Sequence, residues 1–225
     1  HVTESGFAAD IGFEKFWNVK CRLSGLKPDV SVLVATVRAL KMHGGGPQVV
    51  PGRPLPEAYT REDLSLLEQG CANLLHHVSI IRKSGITPVV CINKFHTDTD
   101  AELTLVRRIC AAHGLRCAVS DHWRYGGAGA EELAREVVRI CDEGSGDFRF
   151  AYESEMSIPE KINAVVTKVY RGAGIELTSQ AKKQLAVLEE QGFGNLPVCI
   201  AKTQYSFSDD PAKLCAPEGF TVTVR

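Results

Sequence analysis

The stretch Pro88-Val-Val-Cys-Ile-Asn-Lys-Phe-His-Thr-Asp-Thr99 limits the fold more than any other. Val89 to Ile92 is a short, fully apolar run rich in β-branched residues, which predicts a strand covered on both faces, as in parallel sheets flanked by crossover helices. Asn93-Lys94-Phe95 follows at once and a helix start comes at Thr99. That places a loop at the C-terminal end of a parallel strand, where open α/β sheets hold their ligands.

The flanking segments repeat the same alternation. Val30 to Val37, after Pro28-Asp29, predicts a second strand central in the sheet. A long loop with Pro47, Pro51, Pro54 and Pro56 leaves it, and Thr60-Arg-Glu-Asp63 predicts a helix start, with a hydroxyl cap and acids facing the positive end of the dipole. Leu64, Leu67, Cys71, Leu74, Val78 and Ile81 form its apolar stripe, closed by Arg82-Lys83 before Gly85. Thr99-Asp-Ala-Glu102 is a capping box for a helix with Leu103, Val106 and Cys110 inward and Gly114 as its stop. Leu115 to Val119 predicts a third strand, whose exit loop Ser120–Gly129 enters a helix carrying Leu133, Val137 and Ile140. Gly144-Ser-Gly146 reads as a boundary. Beyond it Ser157-Ile-Pro-Glu160 caps one helix, Thr178 to Glu190 forms another, and Leu196 to Ala201 and Thr221 to Val224 read as strands. Residues 1–29 read as a loop with a short helix. The expected class is α/β: a mostly parallel sheet with flanking helices over 1–146, and a smaller α/β portion over 147–225, incomplete at its C-terminal end.

Composition narrows the function. The 225 residues carry a net charge of −1, so there is no basic field for nucleic acid or an anionic membrane. Val30 to Val37, the longest apolar run, is about half a bilayer span, which predicts a cytosolic protein. The eight cysteines include no C-x-x-C pair, so reduced thiols and no metal site are expected. The chain starts His1-Val-Thr without methionine and stops within a strand-like pattern, as expected of a partial polypeptide.

Three strand ends lead into unusual loops: His43-Gly44-Gly45-Gly46, Asn93-Lys94-Phe95-His96, and His122-Trp123-Arg124 with Gly126-Gly127. The glycines form either a turn or a close backbone approach to phosphate. His43 is either polar surface or an acid–base group. Asn93-Lys94 resembles the base-reading pair of nucleotide hydrolases, although His96 stands where that motif has aspartate. Phe95 and Trp123 are either lids over the core or two faces of a slot for a planar heterocycle. The helix start after Gly126–Gly129 is a candidate anion site. G-x-x-x-x-G-K-[S/T], G-x-S-x-G and H-E-x-x-H are all absent from the 225 residues, so no self-contained catalytic device is visible.

Five blocks carry a family resemblance: Thr3-Glu-Ser-Gly-Phe-Ala-Ala-Asp-Ile-Gly-Phe-Glu-Lys-Phe16, Val34-Ala-Thr-Val-Arg-Ala-Leu-Lys-Met-His-Gly-Gly45, Phe95-His-Thr-Asp-Thr-Asp-Ala-Glu-Leu103, Gly192-Phe-Gly-Asn-Leu-Pro197 and Ala201-Lys-Thr-Gln-Tyr-Ser-Phe-Ser-Asp-Asp210. The chain resembles the central-to-late part of formate–tetrahydrofolate ligase over nearly its whole length. The resemblance implies a sheet of the P-loop NTPase-like type. It also implies ATP-dependent joining of formate to tetrahydrofolate through formyl phosphate, with Mg2+ on the nucleotide, a supporting K+ or NH4+, and a tetrameric assembly. Phe95 and Trp123 would stack on the pterin; Ser5, Phe7 and Gly12 would line the nucleotide pocket. His43, Gly44, Gly45 and Asn93 remain ligand-loop candidates from the residues alone, and catalytic residues stay unassigned. His96 departs from the proline found in many bacterial members. The family's phosphate loop with its lysine, and the arginine that grips formyl phosphate, lie outside these residues. The chain alone is therefore expected to be inactive. The alternative expectation is a folate- or nucleotide-binding module, or a split subunit that needs a partner chain.

Overall fold

The computed structural model describes residues 1–50, 52–144 and 146–225; Pro51 of the expected loop and Ser145 of the expected boundary lie outside the described residues. The chain forms two compact units, one of residues 28–147 and one joining 1–27 to 148–225. The sequence expectation had instead grouped residues 1–27 with the first portion.

Residues 1–27 are more helical than the loop with a short helix expected over 1–29. Two π-helical turns, Ala9–Phe13 and Phe16–Lys20, run into α1 (Cys21–Ser24), which Gly25 ends at φ 73°. Ala9, Phe13, Trp17 and Cys21 recur every fourth position and are all buried, so they form one apolar stripe. The stripe seats against the later part of its own unit. Trp17 Nε1–H donates to Arg149 O at 2.7 Å, Ala151 N–H donates to Asn18 Oδ1 at 2.9 Å, and the Arg22 guanidinium donates to Ser154 Oγ and Tyr152 O.

Unit 28–147 contains β1 (Val30–Ala35), α2 (Val37–His43), α3 (Leu64–Lys83), β2 (Thr87–Asn93), α4 (Asp100–Ala112), β3 (Arg116–Ser120), the short α5 (His122–Tyr125) and α6 (Glu131–Glu143). The three strands are parallel in the order β1-β2-β3, with Ala35 opposite Ile92 and Asn93 opposite Ser120. β2 is the central strand and its apolar run is buried on both faces, as read from the sequence. β1 is not central. It lies at an edge, with Val34 60% exposed. A β-branched run records strand preference but not which neighbour covers it.

α4 starts at the expected capping box, with reciprocal bonds between Thr99 and Glu102. α3 starts three residues later than expected: Asp63, not Thr60, is the cap and accepts from Leu66 N–H at 2.9 Å. α2 and α3 cross through glycine. A Cβ at Gly70 would lie 1.7 Å from Leu40 O, and one at Gly44 would lie 1.9 Å from Leu66 O, so neither position admits a side chain without moving backbone.

In the second unit, α7 (Ile158–Lys168) starts at the expected Ser157–Glu160 capping box. β4 (Gly174–Leu177), which the sequence reading missed, pairs in parallel with β5 (Thr221–Val224), and α8 (Ser179–Glu190) lies between them in the chain. The strand expected over Leu196–Ala201 is absent. That segment is half-exposed and pairs with no strand among the described residues; side chains hold its backbone instead. Lys161 Nζ donates to Leu196 O at 3.1 Å, and Val198 N–H donates to Tyr152 Oη at 3.1 Å. The architecture is α/β, with parallel sheets of three and two strands. Among the described residues, no helix is long and apolar enough to cross a membrane.

Candidate functional site

Parallel pairing sets the C-terminal ends of β1, β2 and β3 side by side. The loops leaving β2 and β3 are joined at their roots, because Lys94 N–H donates to Ser120 O at 3.0 Å and the Lys94 ammonium lies 3.7 Å from Asp121 Oδ2. Phe95 then sits in a tight turn. Its N–H donates to Asp98 Oδ2 at 2.8 Å, and Asp98 N–H returns to Phe95 O at 3.0 Å. Burial is the main cause raising the Asp98 carboxyl above the usual aspartate range, opposed by the Phe95 N–H.

Trp123, on α5, is 92% exposed, so it is no lid over the core. The loop behind it is held by Asp121 N–H donating to Gly129 O at 2.9 Å, and Ser120 Oγ lies 2.9 Å from His122 Nδ1. The anion site expected at the following helix start meets two acids, since Glu131 and Glu132 fill the first turn of α6.

The glycine triplet stands elsewhere. α2 separates it from the end of β1 by seven residues, or about 10 Å of helix. Its amides close that helix: Gly44 N–H donates to Leu40 O and Lys41 O, Gly45 N–H to Met42 O, and Gly46 N–H to Lys41 O. His43, Gly44 and Gly45 thus sit one helix away from Asn93, Phe95 and Trp123. The group found at the end of β1 is one the sequence reading missed. Arg38, in the first turn of α2, places its guanidinium carbon 4.2 Å from the centroid of the Phe95 ring and donates to Thr97 Oγ1 at 3.0 Å. A cation in a helix's first turn opposes the dipole, and that mismatch was the available signal.

Beneath this loop lies a buried ion pair. Lys41 Nζ is 2.5 Å from Glu102 Oε1, with both side chains 1% exposed. Glu102 also accepts from the N–H groups of Asp63 and Thr99, and Lys41 donates to Arg61 O at 2.6 Å, so one carboxylate ties the starts of α3 and α4 to α2.

In the other unit, Ser5 and Gly12 come together. A Cβ at Gly12 would lie 2.1 Å from Gly6 O and 2.8 Å from Ser5 O, so the 5–6 backbone rests directly on the helix. Phe7 projects from it at φ 60° and is 72% exposed. Positive φ is costly for an aromatic residue and collects at ligand-binding segments. Below, Lys202 Nζ lies 2.6 Å from Asp10 Oδ2. Glu14 accepts from Asn18 Nδ2 at 3.0 Å, and its carboxyl is raised to about 7, chiefly by burial.

A carboxyl held above its unfolded value of 4.5 makes the folded state the stronger proton binder. Its contribution is therefore complete below about pH 4.5 and disappears as pH rises through about 7. Urea unfolding at pH 5 and pH 8 should show wild type losing about 3 kcal/mol more than Glu14→Gln over that interval. Parallel pH profiles for the two proteins would contradict the buried, protonated Glu14.

A family model described as formate–tetrahydrofolate ligase matches residues 1–225. Formate–tetrahydrofolate ligases of Desulfovibrio desulfuricans and Dehalococcoides mccartyi are 54% and 53% identical to the chain over its whole length. The cytoplasmic C-1-tetrahydrofolate synthase of Schizosaccharomyces pombe is 51% identical, also across the entire chain. The chain spans 38% of the two bacterial relatives and 24% of the yeast one. Matched from its first residue to its last, the chain belongs to the formate–tetrahydrofolate ligase family.

Proposed function

We propose that this chain supplies the folate slot and one wall of the nucleotide site of an enzyme that joins formate to tetrahydrofolate at the expense of ATP. The observation carrying the reading is the pair of rings at adjacent strand ends, Phe95 anchored by its Asp98 turn and Trp123 almost wholly exposed. A pterin is flat and amphipathic, and it stacks between such rings with its polar edge free to hydrogen-bond. Ser5, Phe7 and Gly12 form the nucleotide wall, with Phe7 as a stacking face for the base and Gly12 allowing the close backbone.

In the reaction, formate oxygen attacks the γ-phosphorus of ATP, giving formyl phosphate and ADP. The folate amine then attacks the formyl carbon and expels phosphate. The slot orients that amine, which converts a bimolecular step into an effectively unimolecular one. Phosphate-gripping groups come from the remainder of the longer protein, in a sheet of the P-loop NTPase-like type. Magnesium arrives with the nucleotide phosphates, as is usual for that ion; the described residues hold no cluster of three or more His, Cys, Asp or Glu side chains that would cage it. A monovalent cation, tetrameric assembly and a cytosolic setting belong to the same reading.

The chain alone is then expected to bind folate and not to turn over. Formate- and tetrahydrofolate-dependent release of phosphate from ATP should be absent from the isolated 225 residues and appear once the remainder of the protein is supplied. Turnover by the isolated chain would overturn the division of labour.

A further inference from the structure

The geometry points to Arg38 as a positioning residue that sets the slot's preference for a reduced over an oxidised pterin ring; this rests on the reading of Phe95 and Trp123 as a pterin slot. Arg38 lies on one face of Phe95, with its guanidinium carbon 4.2 Å from the ring centroid. A hydrogen bond to Thr97 Oγ1 aims it, and among the described residues its buried Nε–H has no acceptor. Among the described residues no carboxylate pairs with it at ion-pair distance; Asp98, the acid that feels its charge, has an oxygen committed to the Phe95 N–H. The guanidinium charge therefore acts on the Phe95 ring as well as on Asp98.

A cation on one face of a benzene ring draws π density toward itself. The opposite face becomes electron-poor and stacks best on an electron-rich partner. The tetrahydropterin is such a partner, an aminopyrimidinone bearing two further amine donors. The oxidised pteridine is not, because its pyrazine half withdraws density. Arg38 thus acts on the substrate through Phe95 and discriminates by oxidation state without touching the ligand. The Thr97 bond and the stiff turn from Phe95 to Asp98 keep ring and cation in register.

The test is isothermal titration of the 225-residue chain with tetrahydrofolate under argon and, separately, with folic acid, on wild type, Arg38→Met, Arg38→Lys and Thr97→Val. Wild type should prefer the reduced form. In Arg38→Met the ratio of the two Kd values should fall, by no more than about fivefold, the ceiling set by an exposed cation–π contact. Arg38→Lys should keep most of the ratio, and Thr97→Val should lose part of it. A merely structural role for Arg38 would weaken both ligands together and leave the ratio unchanged, which would overturn the proposal while the slot stands. If wild type binds neither ligand, the slot itself fails and the role of Arg38 falls with it. Should Arg38→Met not fold, the ratios in Arg38→Lys and Thr97→Val decide.

Discussion

Glu102→Ala is expected to lower the unfolding free energy by about 3–5 kcal/mol, the cost of leaving one charge of a buried pair uncompensated. The lost groups are specific. Lys41 loses the carboxylate 2.5 Å away, while Asp63 N–H and Thr99 N–H lose their acceptor at two helix starts. A domain of this size is stable by about 5–15 kcal/mol, so a large share of the total is at stake. Urea unfolding followed by circular dichroism reads the loss. Glu102→Gln combined with Lys41→Met should recover part of it, because a neutral pair has no buried charge to strand. An unfolding midpoint for Glu102→Ala equal to that of wild type would contradict the pair's role.

Lys202→Met is expected to be nearly as damaging in the other unit, by about 3 kcal/mol. Lys202 Nζ lies 2.6 Å from Asp10 Oδ2 with both side chains 3% exposed; it donates to Thr203 O and Ser206 O and sits 5.1 Å from the Tyr170 ring centroid. Removing the ammonium withdraws the positive charge facing Asp10, which lies in the helical turn that also carries Gly12. The effect should reach the nucleotide wall as well as stability. Unfolding curves for Lys202→Met and for Lys202→Met with Asp10→Asn should show the double variant recovering part of the loss. Equal stability of the two variants would mean that the charge on Asp10 is not what Lys202 serves.

Local chemistry was legible wherever it acts over a few residues. The capping boxes at Thr99–Glu102 and Ser157–Glu160 read directly, because the reciprocal bonds need only a spacing of three. The buried run of β2 read correctly too, since an unbroken apolar run suits a doubly covered strand. Longer-range features did not read. β1 resembles β2 in composition, and only the pairing order shows that Val34 faces out. Leu196–Ala201 has strand composition and no partner, so Lys161 and Tyr152 take over its backbone. The N-terminal stripe Ala9–Phe13–Trp17–Cys21 was obscured by glycines at 6 and 12.

At the candidate site, the positions of Phe95 and Trp123, each following a strand, were legible in the sequence. Arg38 was not, because its meaning comes from the Phe95 ring 57 positions away in the chain and 4.2 Å away in space. Of the two readings of the His43-Gly44-Gly45-Gly46 loop, the structure shows a turn whose amides close α2. The helix Val37–His43 that displaces it from the strand end starts where the strand-like run stops and lay in the stretch read as loop, and Gly44 is there to let α2 cross α3.

The central claim is that Trp123 and Phe95 hold a pterin, and tryptophan fluorescence tests it directly. Trp17, the second of the two tryptophans, is buried and hydrogen-bonded to Arg149 O, so it serves as an internal reference. Titrating tetrahydrofolate should quench the exposed-tryptophan emission saturably. Trp123→Ala should abolish that quench and weaken binding, measured calorimetrically, by about tenfold or more, as expected for loss of one stacking face. Unchanged quenching and unchanged affinity in Trp123→Ala would contradict the account.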